Sequence, residues 1–511
     1  FGFFRSFRGL DTRDDNFPRF VTDNAEPDVG LDAKFVLSDS FALDVAVNPD
    51  FSQVESDNPQ VTVNRRFEVR FPERRPFFLE NNDFFQTPIN LFFSRRIADP
   101  QFGLRLTGKK GPYAIGALVA DDQSPGRAVL PGDPLHNTRA KFAVVRVYRD
   151  IFKESTVGFL FTDRELEGSH NRVGGVDTRL KLNPNWNLTM QAVTTSTQDL
   201  DGFTEDGPAY AVELERTGRQ FNYDFEYEDI GVGFKTAPGF VRRRDIRSME
   251  HRVRYRFRPE GKYLISWGPS ISTDNLWDHN GTRLDWRVSP FLSFEFIRQT
   301  SFGLWVTSGR ERLRPEDFDA LTENQDFTQQ TKAVFFRSQY IPQVNFSGRY
   351  SSGKQINFVP PDGQEPVLAR ATRGNFGVTL RPTARLRNDN TYILSQLKSL
   401  QGGESIFTNH IIRSRWNWQF NREFSLRVIL QYDTVLVNPA LTRLETSKNF
   451  NADFLFTYLV NPWTALFVGY NGNMQNISLL TSPTENEVIR TSGFMHDARQ
   501  FFVKFSYLLS F

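Results

Sequence analysis

Along most of this chain apolar and polar residues alternate with a period of two, and that pattern constrains the fold more than any other feature. From Phe501 to Phe511 the sequence reads FFVKFSYLLSF. Phe501, Val503, Phe505, Tyr507, Leu509 and Phe511 fall on one face, with Lys504, Ser506 and Ser510 on the other. Successive side chains of a strand point to opposite faces, so the pattern fits a strand between an apolar medium and water. It recurs at Phe424, Leu426, Val428, Leu430 and Tyr432, and again at Ile412, Trp416, Trp418 and Phe420. Leu284, Trp286, Val288, Leu292, Phe294 and Phe296 share another such face. A single segment of this kind is weak evidence, but many in series predict an all-β transmembrane antiparallel barrel.

Composition agrees with that reading. Mean hydropathy is −0.46, and no stretch approaches the roughly 18 uninterrupted apolar residues that a spanning helix needs. The 51 Phe, 8 Trp and 14 Tyr make the chain 14% aromatic while 24% of it is charged. A membrane barrel uses aromatics in girdles and on its lipid face, and charge in its lumen. Cysteine is absent, which permits export. A net charge of +2 argues against a dedicated nucleic-acid binder.

Connections give an independent test. Short turns are expected near Asn461–Pro462, Asn421–Arg422, Pro382–Thr383, Ile341–Pro342, Arg298–Gln299, Pro259–Gly261, Gly218–Arg219, Asn183–Pro184 and Lys109–Gly111. Long polar loops are expected between them, at 479–497, 436–447, 351–367, 313–328, 275–282, 231–247, 198–208, 163–170 and 121–137. Bacterial outer-membrane barrels show this asymmetry, with short periplasmic turns and longer external loops. It places the C-terminus at the periplasmic face. Residues 101–511 read as regular up-and-down strands, about twenty-one of them. Closure with both ends on one side needs an even total, so residues 1–100 supply an odd number. The candidates there are Pro18–Val21, Asp32–Leu37, Phe41–Val47, Arg65–Phe71 and Leu91–Ile97. The expected barrel has roughly 22 to 26 strands, toward the upper end.

If the aromatic face meets lipid, the other face lines a lumen. Glu213, Glu215, Asp224, Glu226 and Glu228 then lie on strands next to Arg252, Arg254, Arg256 and Arg258. Opposite charges on adjacent strands pair for about 0.2–1 kcal/mol each. Two readings stay open: a ladder that stiffens the wall, or an electrostatic filter for a solute. A barrel this wide leaves a hole unless something fills it. The stretch 65–93 lacks clean alternation and crowds Arg, Glu and Phe together. It is expected either as an inward-folded hatch, with Arg74, Arg75, Phe77, Phe78 and Glu80 at its centre, or as a thickened rim.

Two stretches carry a family resemblance: AVNPDFSQVESD over Ala46–Asp57, and FPERRPFFLE over Phe71–Glu80 followed by FFSRRI over Phe92–Ile97. In this order and spacing they resemble the outer-membrane barrel domain of unknown function commonly found behind a carbohydrate-binding family 9-like domain. The terminal strand with Phe505, Tyr507, Leu509 and Phe511 resembles the signal by which bacterial barrels engage the barrel assembly machinery. The resemblance implies architecture and an outer-membrane location, with lipid and lipopolysaccharide as surroundings. It assigns no ligand.

No catalytic or cofactor motif stands out, so neither an enzymatic role nor a cofactor is expected. The histidines at 136, 170, 251, 279, 410 and 496 have no metal-ligand spacing. Asp50, Glu55 and Asp57 are a candidate calcium set, since oxygens close in sequence can converge on a hard cation, although a turn-capping role is the simpler reading. Arginines in 241–248 and 309–319 suit lipopolysaccharide phosphates or ordinary solvated loops. Two functions are therefore carried forward. One is a channel or gated transporter for a bulky solute such as an oligosaccharide. The other is a structural barrel that anchors or encloses a partner protein, in its lumen or at its external loops.

Overall fold

The computed structural model describes every residue except 39, 52–53, 260, 462, 483–484 and 508–511, and leaves the side chains of 24–26 aside. In chain order the strands begin with β1 (Gly2–Asp11), β2 (Arg19–Val29), β3 (Leu31–Ser38), β4 (Phe41–Val47) and β5 (Phe102–Lys110). There follow β6 (Tyr113–Asp122), β7 (Ala140–Ile151), β8 (Ser155–Leu166), β9 (Ser169–Asn183), β10 (Trp186–Gln198), β11 (Thr204–Arg216) and β12 (Phe221–Ile230). Next come β13 (Ile246–Tyr255), β14 (Leu264–Trp277), β15 (Arg283–Phe296), β16 (Thr300–Leu313), β17 (Gln325–Ile341), β18 (Val344–Asn357) and β19 (Val367–Thr383). The wall ends with β20 (Leu386–Ser399), β21 (Ser405–Gln419), β22 (Phe424–Val437), β23 (Ser447–Asn461), β24 (Thr464–Thr481) and β25 (Asn486–Tyr507).

Apart from β2 and β3, each strand pairs antiparallel with the next, and β1 pairs with β25, so the sheet closes into a barrel. One residue, Gly30, separates β2 from β3, which is too little chain for a reversal. Phe1 and Gly30 exchange backbone hydrogen bonds of 2.9 Å, which carries the β1–β2 ladder through the junction. The two are halves of one strand, the first pairing with β1 and the second with β4. Counted so, the 25 strands among the described residues make a ring of 24 positions, the even number that antiparallel closure requires. Among the described residues no ladder joins β2 to β4, so the β4-side edge of β2 is unpaired.

The alternation read from the sequence is the alternation of the wall. Phe159, Tyr210, Leu304, Val334, Ile412 and Phe501 are all exposed on its outside. An apolar surface running round a whole barrel is a lipid-facing band, since a water-facing protein leaves no contiguous patch of that extent. The expected short connections lie at one end, those near Asn461–Pro462 and Pro259–Gly261 including a residue outside the described ones. Several expected long loops at the other are shorter, because hairpins keep their ladders well past the apolar band. The β24–β25 ladder runs out to Thr481↔Asn486, so most of 479–497 is strand. The connection after β8 is a tight turn, closed as Leu166↔Ser169. Polar strands continue there because cross-strand backbone bonds need no apolar face.

Residues 1–100 depart from expectation in three ways. β1 was not foreseen, and neither Arg65–Phe71 nor Leu91–Ile97 is a strand. Between β4 and β5 the chain leaves the wall and forms an insert, residues 48–101, holding one short helix, α1 (Pro76–Leu79), and two 3₁₀ turns at Asn82–Phe85 and Ser94–Arg96. Pro72 and Pro76 deny this stretch the amide donors that a ladder uses.

Candidate functional site

The insert touches strands all round the ring, which places it across the lumen. Asn81 bonds Thr107 of β5 at 2.9 Å, and the Ile89 amide donates to Gln191 of β10 at 2.7 Å. Arg66 reaches Glu311 of β16, Asn64 donates to the Ile356 carbonyl of β18, and Lys504 of β25 donates to the Asp50 carbonyl, each at 2.9 Å. These contacts also settle which face of each strand is the interior.

Its two halves are held by different physics. Phe78, Phe85, Ile89, Leu91, Phe92 and Ile97 join a continuous apolar cluster with inward residues of the wall, among them Leu118, Phe142, Leu160, Val173 and Ala209. Leu91 and Ile97 are 0% exposed. Phe77 lies against Gly103 of β5, where any Cβ would collide with its ring. This half is anchored to β5–β12 by burial, at roughly 1.5–3 kcal/mol for each large side chain.

The other half, residues 48–74, is fastened mainly by charge. Glu55 receives both oxygens' worth of bonds from Arg415 of β21, at 2.8 and 3.0 Å, with Arg413 at 3.4 Å and Arg74 of the insert at 3.7 Å. Asp57 is gripped by Arg95 at 2.6 Å. Arg66 pairs with Glu311 at 2.9 Å and with Asp317 at 2.8 Å. Asp50 lies 3.6 Å from Lys504. The three carboxylates considered for calcium thus sit on cationic side chains, Arg74 lying between Glu55 and Asp57 at 3.7 and 3.6 Å, and among the described residues no group of His, Asp or Glu is arranged to hold a metal.

Inside the FPERRPFFLE stretch, Glu73 is the organiser. Its carboxylate accepts from the backbone and side chain of Arg75, from the Arg74 amide and from Ser94 Oγ at 2.7–2.9 Å. Burial alone would raise its pKa, but these bonds, chiefly from Arg75, outweigh that and hold it at about 2. Arg75 also caps the Ser94 and Ile97 carbonyls and lies 4.3 Å above the Phe78 ring. Glu80 is bonded by Lys34 of β3, which lowers its pKa. Arg105 of β5, 1% exposed, bonds Asp44 at 2.7 Å and the Phe77 and Glu80 carbonyls.

A layer at the long-loop end folds down onto the insert. The Phe93 amide donates to Pro238 at 2.7 Å and the Phe240 amide to Asn90 at 2.8 Å. His279 ties this layer together, with Nε2 2.7 Å from Asp229 and Nδ1 2.9 Å from Asp245. Burial opposes its protonation, but the two carboxylates outweigh burial and raise its pKa. Arginines weighed for lipopolysaccharide are largely engaged within the chain: Arg243 with Asp285 at 3.0 Å, Arg244 with Glu205 at 2.8 Å, and Arg312 with Asp326 at 2.6 Å.

The inward charge ladder has a different register from the acid–base pairing expected. Glu213 lies opposite Glu226, Glu226 opposite Glu250, and Glu250 opposite Asp274, so four carboxylates follow one another across β11–β14. Glu215 faces Asp224, which faces Arg252 on its other side, and Arg254 faces Asn222. Glu228 faces Ser248, while Arg256 and Arg258 lie past the end of β13. Strand register depends on hairpin geometry, which sequence periodicity does not give. In the terminal strand Phe505 and Tyr507 are exposed on the outer face, while Leu509 and Phe511 lie outside the described residues.

Sequence reading missed Glu73, Arg66, Arg105, Arg413 and Arg415. The last three were legible as inward positions of alternating strands, but nothing in the sequence names their partners.

A family model described as a domain of unknown function (DUF5916) matches residues 16–106, which run from the start of β2 through the insert into β5. No curated protein sequence matches the chain. Among solved structures, a point mutant of the ferric enterobactin receptor of Pseudomonas aeruginosa aligns over 99% of this chain and 80% of its own, at 10% identity and a TM-score of 0.49. A siderophore receptor from Acinetobacter baumannii aligns over 99% and 80%, at 9% identity and 0.48. A copper transporter aligns over 80% and 78%, at 10% identity and 0.48.

Proposed function

We propose that the chain is a gated transporter of the bacterial outer membrane, with the insert as its hatch and the short-turn end toward the periplasm. The observation that carries this reading is the asymmetric fastening. Apolar burial anchors residues 76–97 to one side of the wall, while ion pairs tie residues 55–66 to β16 and β21 on the other. Water can replace an ion pair at little net cost, whereas apolar contact has no such substitute. The hatch therefore swings from its apolar anchor and releases along β16–β25. The inward face there is rich in amide and carboxylate groups, including Asp389, Asn409, Asn471 and Asn473. That surface suits a hydrated, bulky solute such as an oligosaccharide.

Planar-bilayer conductance tests the reading. Wild-type protein should give small or rare openings, and Glu55→Gln with Arg415→Ala should give large, frequent ones. A folded double variant as closed as wild type would turn the assignment toward a structural barrel enclosing a partner.

A further inference from the structure

The inward face of β15–β18 carries an aromatic group that the hatch does not use. Phe291 lies directly opposite Trp305, and Phe335 opposite Arg349. Trp305 shares its face of β16 with Glu311, the partner of Arg66, so the group looks into the lumen. It lies six residues nearer the short-turn end than Glu311, or about 20 Å at strand rise. The rings form one platform: Phe291 to Trp305 is 6.1 Å between centroids, Phe291 to Phe335 5.9 Å, and Trp305 to Phe335 6.4 Å. Both phenylalanines lie over Gly303, whose missing side chain lets them rest against the wall.

Two features set this platform apart from packing. None of its rings belongs to a buried apolar cluster, and all three are only half-buried. Apolar rings left wet in a lumen are costly unless something else covers them. Arg349 is exposed, and its guanidinium sits 4.1 Å above the Trp305 ring. Among the described residues it has no hydrogen-bond or ion-pair partner, so its donors face the lumen. Around the rings the neighbours are small and hydroxylated: Ser270 stands opposite Phe291, and Ser289 bonds Thr307 at 3.0 Å.

We propose that Phe291, Trp305, Phe335 and Arg349 form a subsite for a pyranose ring bearing a carboxylate, as in an acidic oligosaccharide. The C–H face of such a ring is apolar with positive edges and stacks on an aromatic face. The guanidinium takes a carboxylate through two parallel N–H bonds, a geometry that lysine lacks. Ring hydroxyls meet the serine fringe. The subsite rests on the reading of the lumen as a solute path, which brings the ligand to it.

The test is calorimetric titration of the full chain in detergent with a galacturonic acid trimer, and separately with maltotriose as the neutral counterpart. Saturable binding of the acidic trimer, tighter than that of maltotriose, is expected. Arg349→Gln should weaken the acidic trimer by about tenfold or more and leave maltotriose nearly unchanged. Phe335→Leu should weaken both by about fivefold, since it removes the stacking face and keeps the bulk. Heat-modifiable gel mobility checks that each variant is a folded barrel. No saturable binding to folded wild type overturns the subsite, as does binding unchanged in both variants. Maltotriose binding as tightly as the acidic trimer overturns the carboxylate assignment. Because binding in detergent needs no opening, its failure beside an openable pore rejects the subsite alone. Binding retained in a chain that never conducts rejects the transport reading alone.

Discussion

Arg415 of β21 holds Glu55 of the insert through both carboxylate oxygens, at 2.8 and 3.0 Å, and its other guanidinium nitrogen holds Asp389 of β20 at 2.7 Å. One wall arginine thus bridges the insert to two strands. Removing it leaves Glu55 with the weaker contacts to Arg413 and Arg74. Arg415→Ala should therefore loosen residues 48–74 by about 1–3 kcal/mol, the cost of a partly buried charge left short of partners. Hydrogen exchange should rise there by one to two orders of magnitude, and stay unchanged at 85–97.

The anchored half should respond in the opposite way. Leu91→Ala removes a fully buried side chain from the cluster shared with the wall. The expected loss is about 2–5 kcal/mol. A thermal melt followed by exchange should show the helix and turns of 76–97 releasing first, with the Glu55–Arg415 contact intact until later.

Glu73 gives the insert an acid limit. Its pKa is depressed from 4.5 to about 2, so its contribution is fully present above 4.5 and is lost as pH falls toward 2. At about 1.4 kcal/mol per unit the contribution is on the order of 3 kcal/mol. Exchange at 71–80 measured from pH 6 down to pH 2 should accelerate only below about 4.5. Glu73→Gln should be loose throughout and flat over that range.

His279 gives the layer at the long-loop end a limit on the alkaline side. Its pKa is raised, so its ion pairs with Asp229 and Asp245 are complete below the ordinary value of 6.5 and are lost as pH rises through the raised one. Residues 231–245 should exchange faster at pH 9 than at pH 6, beyond the intrinsic rate change. His279→Gln should abolish that excess, and a persistent excess would point to another titrating group.

The wall was legible in the sequence and the lumen was not, for a physical reason. Lipid and water act on each residue separately, so Phe501 or Ile412 declares its face through its own chemistry. The pattern also marked 65–93 as lacking clean alternation, but it left Arg65–Phe71 among the strand candidates and did not choose between a hatch and a rim. What decides the site is partnership across distant strands, such as Arg66 with Glu311 or Arg349 on Trp305. Those pairs depend on register and on the width of the ring, and neither leaves a periodic trace. The acidic run from Glu213 to Asp274 shows the same limit, because Glu213 and Glu226 were identified but neither their register nor Glu250 and Asp274 were.

The insert leaves and rejoins the wall at one place. The Asn48 amide donates to the Gln101 carbonyl at 2.6 Å, just beyond the pair Val47↔Phe102 that ends the β4–β5 ladder. A chain joined directly from 48 to 101 would complete an ordinary hairpin, and the ring of strands would keep every pairing it has. In construction, then, the insert is a cassette spliced between two neighbouring strands. Its removal would spare every strand pairing but bare the inward Leu118, Phe142 and Leu160 that it covers, and tethering at both ends keeps it with its host.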